Sequence, residues 1–517
     1  MSLLRAFRDK KNTLSKAVRR KPAAAAVSGT GSAVQVETVE AEEYLHHGWT
    51  RRVVGYVAIL MMVNVMVDSV LASPTFVLPQ LGEAFHTNQF AWIGSSAMLA
   101  GAMWAPLLGK SADINGKRKI LVITLLVAGA GGLVCLIAPN VAVFVLGRLL
   151  QGTAVAATFL TVALIRDICA PKFAMVVTGF VTSGSAVFGI ITPFILEPAL
   201  HAFGWRIVFV ISAVFACLAA LLVRLVIPES RKTAPGTVDV KGAIVLGLGL
   251  AGVLVYISLG QVFGWLSPIS LVVLVAGAVA LAYWYRVLSR KPQPVVDVRG
   301  ISAALGLGLL VVIMGTGAYQ SMLQLFSILV EVSPGEGLGY GIAAPAALGL
   351  MFGIPSLGIM LGGVAAGTIS ARVGPVWSLA AGVLFGLLAT FVMLVAGAGS
   401  LPLAVLSSFM LSVTAGSMVT SGFNLASVLA PPERQGTVSS LVMVMVAVGS
   451  VTMNFIGSAV LGATRITHNG ESVNSSLGVH GYIAVAGVVF ALATIPTFFL
   501  VRRMRGHVTV SAPVSHI

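Results

Sequence analysis

Gly109-Lys110-Ser111-Ala112-Asp113-Ile114-Asn115-Gly116-Lys117-Arg118-Lys119 joins two long apolar segments, and its reading decides the fold. It holds two glycines seven residues apart, one carboxylate, and a dense basic run at the edge of the second apolar segment. A weaker echo, Gly367-Thr368-Ile369-Ser370-Ala371-Arg372-Val373-Gly374, lies between two apolar segments in the second half with the same glycine spacing. Two such loops in matching surroundings point to a membrane protein made by duplication, with both loops on one side of the bilayer.

Working outward, the text around these loops is lipid-compatible almost throughout. Hydrophobic residues make up 57% and charged residues 9% of the 517-residue chain, with a mean hydropathy of +0.98. A soluble domain carries about 25% charged residues, so lipid must be the solvent for most of this surface. Lengths of about 20 residues cross a bilayer, and the apolar text divides into fourteen of them. They fall at about 53–79, 88–109, 119–138, 141–165, 174–197 and 205–228, then 242–263 and 268–288. The last six are 300–330, 341–370, 376–397, 401–429, 436–463 and 480–501. The first begins only after Arg51-Arg52, too far from Met1 for a cleavable signal peptide.

Charge fixes the expected orientation. With the N-terminus inside and alternate loops on opposite sides, all but Arg148, Arg206 and Arg465 of the 32 Lys and Arg fall inside. That is the positive-inside asymmetry, and it predicts cytoplasmic N- and C-termini. The net charge of +15 is therefore topological and no nucleic-acid footprint. Cys135, Cys169 and Cys217 have neither metal-ligand spacing nor an expected disulfide, so they read as free thiols.

A second pair of markers supports duplication. Ala170-Pro171-Lys172 precedes the fifth span and Ala430-Pro431-Pro432-Glu433-Arg434 the thirteenth. Gly109 to Pro171 is 62 residues, and Gly367 to Pro431 is 64. The expected fold is an all-α integral membrane protein of two six-helix pseudo-repeat bundles plus two inserted helices. A basic leader (1–50) precedes the first bundle (51–228); a linker with the inserted helices (229–298), the second bundle (299–503) and a tail (504–517) follow. Paired bundles related along the membrane normal are an alternating-access architecture.

Chemistry in such a chain concentrates on the few charges within spans. Asp68 is the one acid among 17 expected well inside a span, where a charged carboxylate costs about 2.5–3.5 kcal/mol. Desolvation favours its protonated form, which makes it a candidate proton carrier. Asn64 precedes it by one helical turn and shares its face. Arg148, deep in the fourth span, cannot discharge, and Asp68 is its expected partner. At the opening loop, Asp113 is expected to neutralise the N-terminal pole of a neighbouring helix or to pair with a basic loop residue. Gly109, Gly116, Lys117 and Arg118 would complete a cytoplasmic gate, although the basic run equally serves orientation alone. A substrate cavity between the bundles is expected to draw on Asn64, Trp92, Ser96, Gln151, Tyr319, Gln320, Gln324, Asn424 and Asn454.

These residues resemble the major facilitator superfamily, and the fourteen-span count is similar to its drug:proton antiporter branch. The opening loop matches the family signature between spans two and three, with Ile114 where an arginine is usual. Arg148-Leu149-Leu150-Gln151-Gly152 resembles the family's span-four motif, which implies a proton relay at Arg148. The antiporter motif of span five is partial: Gly184, Gly189 and Pro193 are present, but the usual Gly-Pro pair is broken. The branch often places an aspartate near a proline in span one; here Pro74 and Pro79 follow Asp68.

The resemblance implies a secondary active transporter of the cell membrane, exporting lipophilic or amphipathic small molecules by proton-coupled alternating access. Export of an endogenous lipid, siderophore or metabolite is the alternative, and a non-transporting receptor or scaffold is a third reading. No enzyme chemistry is expected, nor any cofactor or metal; the driving force would be the proton gradient. A monomer surrounded by membrane lipids, with no nucleic-acid partner, completes the expectation.

Overall fold

In a chain apolar on nearly every side, backbone N–H and C=O groups must be satisfied within each segment, and only helices do this across lipid. The computed structural model describes residues 46–508 apart from 73, 75–76, 87–89, 185, 188, 190–197, 201, 231–235, 293, 295–300, 332–338, 343–348, 396–398, 465 and 469–470. Residues 1–45 of the leader, the tail beyond 508 and Pro193 lie outside the described residues, as does the side chain of Trp92.

The first half comprises α1 (Arg51–Ala72), a short α2 (Leu78–Phe85), α3 (Phe90–Asn115), α4 (Lys117–Ile137), α5 (Val141–Gln151), α6 (Ala154–Ile168), α7 (Pro171–Thr182) and α8 (Ile207–Val226). The inserted pair is α9 (Val240–Phe263) and α10 (Pro268–Arg286). The second half comprises α11 (Ala303–Glu331), α12 (Ile354–Val373), α13 (Pro375–Val395), α14 (Leu401–Leu429), α15 (Gln435–Ala463) and α16 (Ser476–Val508). A two-stranded antiparallel ribbon, β1 (Ile466–His468) and β2 (Glu471–Val473), links α15 to α16.

Among the described residues, 11 helices are long and apolar enough to cross a membrane. Apolar stretches Pro171–Thr182 and Val240–Val253 are shorter, and α3 runs for 26 residues but carries Lys110 and Asp113 in its last turns. The expected fourteen spans therefore meet eleven that satisfy both length and hydropathy.

Helix ends differ from the expected span ends for a physical reason: hydropathy marks where lipid stops, whereas a helix continues through polar residues. The opening loop is almost entirely helical. Helix α3 runs through Asp113 to Asn115, and α4 begins at Lys117. Gly116 alone turns the chain, at φ +99°, a left-handed conformation that favours glycine. The second copy is built alike, with Gly374 at φ +97° between α12 and α13. The first span ends earlier than expected, at Ala72.

Two equivalent helix pairs make the most extensive contacts between the halves. Helix α3 lies antiparallel to α15, and α12 lies against α7. They are equivalent under the duplication, since α3 corresponds to α12 and α15 to α7. The inserted α9 packs on α10 and on α3, where Gly247 admits Met103. An Asp239–Lys291 ion pair at 3.1 Å ties the base of that hairpin.

Candidate functional site: a carboxylate latch between the halves

Small residues let the helix pairs approach until backbone meets backbone. A Cβ on Gly109 would stand 2.7 Å from the Gly436 carbonyl oxygen on α15. On the other pair, a Cβ on Gly179 would stand 2.5 Å from the Gly363 carbonyl, and one on Gly367 2.8 Å from that of Met175. Gly109 and Gly367, the first glycines of the two repeated loops, thus occupy equivalent interface positions.

The approach of α3 brings Asp113, 2% exposed, onto the first turn of α15. Its Oδ1 accepts from the Gly436 backbone N–H at 2.8 Å. Its Oδ2 accepts from the Thr437 N–H at 2.8 Å and the Thr437 hydroxyl at 2.7 Å. The first N–H groups of a helix have no intrahelical partner and carry its positive pole. One carboxylate from the first half therefore satisfies both donors of the second.

Lys117 and Arg118 differ from the gate expectation: they brace the first half internally. Lys117, 1% exposed, donates to both oxygens of Asp167, the penultimate residue of α6, at 2.7 and 2.8 Å. Its backbone N–H donates to Ser230 Oγ. Arg118 pairs with Glu229 at 3.4 Å and donates to the Ile227 carbonyl at 3.0 Å, anchoring the chain after α8. Gly116 packs against that same Glu229.

Arg148 is fully buried, but its contacts are not the expected ones. It donates to the carbonyls of Val70 at 2.7 Å and Leu71 at 3.2 Å, and to Gln151 Oε1 at 2.8 Å. Helix α1 ends at Ala72, so these are its orphaned last-turn carbonyls at the negative pole of the helix. They supply the acceptors that an undischargeable guanidinium needs, where Asp68 was expected to. Asp68 lies four residues before the end of α1, nearer the helix end than its expected place well inside a span. It is half-buried and within electrostatic reach of Tyr319 in the second half, whose hydroxyl bonds with Ser412.

Three expected cavity residues are spoken for by helix packing. Asn64 donates to Leu60 O and to Thr161 Oγ1 at 3.3 Å, tying α1 to α6. Gln151 holds Arg148. Asn424 lies near the end of α14, where it accepts from Arg166 Nη2 at 3.0 Å and donates to Met175 O at 3.4 Å. The hydropathy of a span does not say which face a polar residue takes, and these three face neighbouring helices. Tyr319 instead lines a crevice with Met322, Phe326, Met393, Ser408 and Leu411. Ser96 Oγ, Gln324 Oε1 and Asn454 Oδ1 are buried without a hydrogen-bond partner, and Gln320 is half-buried.

Sequence reasoning missed Thr437, Asp167 and the Arg166–Asn424 contact, together with a Thr182–Thr420 hydroxyl bond of 2.8 Å between the halves. The signal available for Thr437 was its place two residues into a helix whose start Pro431 and Pro432 announce.

A family model described as Major Facilitator Superfamily matches residues 57–453 and 344–514. The chain belongs to this superfamily. It is 28% identical over 320 residues to the multidrug resistance protein B homolog of Mycobacterium tuberculosis, covering 59% of this chain and 57% of that one. The chain thus spans little more than half the length of that relative. It is 30% identical over 192 residues to a triacylglyceride transporter of Mycolicibacterium hassiacum, covering 35% of each. The proton:xylose symporter XylE superposes with a TM-score of 0.63 over 87% of this chain and 95% of that one, at 14% identity. The superfamily member described here is thus a predominantly helical, multi-pass membrane protein.

Proposed function

We propose that this chain is a proton-coupled exporter of lipophilic or amphipathic small molecules, working by alternating access across the cell membrane. The Asp113 contact carries the reading. It joins the two halves through hydrogen bonds alone, at the end of the molecule that bears the basic run, and breaks without unfolding either half. Positive-inside bias supports a cytoplasmic position for that end, and with it a reading of the latched form as closed toward the cytoplasm. In this reading α3, α7 and α9 are counted as crossings beside the eleven long apolar helices, which makes fourteen and returns the C-terminus to the cytoplasm.

Asp68 is the proposed proton carrier. Its electrostatic interaction with Tyr319 spans the halves, so parting them changes its surroundings and with them its proton affinity. Arg148 acts at one remove, by fixing the end of the helix that carries Asp68. Likeness to a multidrug resistance protein supports a lipophilic cargo, and likeness to a triacylglyceride transporter supports an endogenous lipid as the second reading. Proteoliposomes with an imposed pH gradient test the coupling. Asp68→Asn is expected to abolish gradient-driven accumulation while leaving downhill exchange of the same cargo. Undiminished gradient dependence in that variant would remove Asp68 from the role.

A further inference from the structure

Arg166, in the last turn of α6, is a half-buried cation. Its Nη2 donates to Asn424 Oδ1 across the interface at 3.0 Å and its Nη1 to the Pro171 carbonyl at 3.4 Å. Its Nε is buried and has no partner. The neighbouring Asp167 turns to Lys117, and the titratable group that acts on Arg166 is the Cys169 thiol. No ion pair among the described residues includes Arg166. Polar atoms on the helices that Arg166 and Asn424 meet are also unpaired within the protein: Thr178 Oγ1 lies one turn beyond Met175 on α7, and Ser427 Oγ one turn beyond Asn424 on α14.

A guanidinium keeps its charge, and neutral acceptors compensate its desolvation less well than an anion does. Its planar fork suits the paired oxygens of phosphate and carboxylate. Arg166 lies near the end of an apolar helix long enough to cross a membrane, and its partner Asn424 sits between Phe423 and Leu425 in the sequence of the apolar α14. We propose that Arg166 docks the phosphate or carboxylate headgroup of an amphiphile entering between the halves as they part, displacing Asn424 and leaving the tail along the apolar interface. The proposal rests on alternating access but on neither proton coupling nor export.

Equilibrium binding to the full-length protein in nanodiscs of zwitterionic lipid tests it, with dodecyl phosphate, inorganic phosphate and dodecyltrimethylammonium as probes. Arg166→Gln is expected to weaken dodecyl phosphate about tenfold or more and to leave dodecyltrimethylammonium unchanged. Arg166→Lys, which keeps the charge, is expected to lose less. Asn424→Ala removes the competing oxygen and is expected to tighten dodecyl phosphate. Equal losses for anion and cation in Arg166→Gln would mean a structural role and overturn the proposal, as would unchanged dodecyl phosphate binding. Displacement by inorganic phosphate as effective as by dodecyl phosphate would assign a free-anion site and overturn the amphiphile. Binding needs no gradient, so the outcome stays readable if Asp68 proves uncoupled.

Discussion

Asp113 carries three hydrogen bonds from Gly436 and Thr437, and each belongs to the charge-assisted class worth about 1.5–3 kcal/mol. Its pseudo-equivalent in the second half is Ala371, which offers no acceptor, so the two interfaces are held by different chemistry. Asp113→Ala is expected to shift the protein toward the form open at the basic end, by roughly tenfold or more. Distances between spin labels on α3 and α15 would read that shift. Thr437→Val, which removes one hydroxyl and keeps both backbone donors, should show a smaller one. Lys117→Ala should behave differently: it removes an ion pair within one half and is expected to lower the thermal midpoint more than it alters the opening equilibrium.

At the scale of elements, the interface helices are glycine-rich where they meet the other half and bulky where they face lipid. A Cβ on Gly179 or Gly109 would collide with backbone on the opposite half, which cannot rotate aside as a side chain can. Gly179→Val is therefore expected to cost about 1–3 kcal/mol of closure and to leave the basic end open. Labelling of a cysteine placed on α12, compared with Gly306→Ala, checks this, because Gly306 meets nothing within 4 Å. The glycine spacing was legible in the sequence, as was the correspondence between the two loops. That the loops are helices broken at Gly116 and Gly374 was not, because polar residues end a hydrophobic run without ending a helix.

For the whole molecule, sidedness is the open physical quantity, and charge asymmetry predicts it. Lys119, exposed at the start of α4, and Leu477, exposed at the start of α16, should lie on opposite sides of the membrane. In right-side-out vesicles, an impermeant maleimide is expected to label Leu477→Cys directly and Lys119→Cys only after permeabilisation. Native Cys135 and Cys169 are buried, and Cys217 lies within membrane-crossing α8. Composition alone gave lipid as solvent, the duplication gave two halves, and the basic residues gave an orientation, because each is a property summed along the chain. Which polar side chain meets which is not such a sum. The sequence paired Arg148 with Asp68 because both are costly in lipid, whereas the fold places the end of α1 beneath Arg148 and lets its free carbonyls take the charge. It left Asp113 between a helix pole and a basic loop residue, and packing through Gly109 and Gly436 selected the first turn of α15. Those choices are made by the close approach of segments 77 to 324 residues apart, distances over which no local pattern in the chain can report.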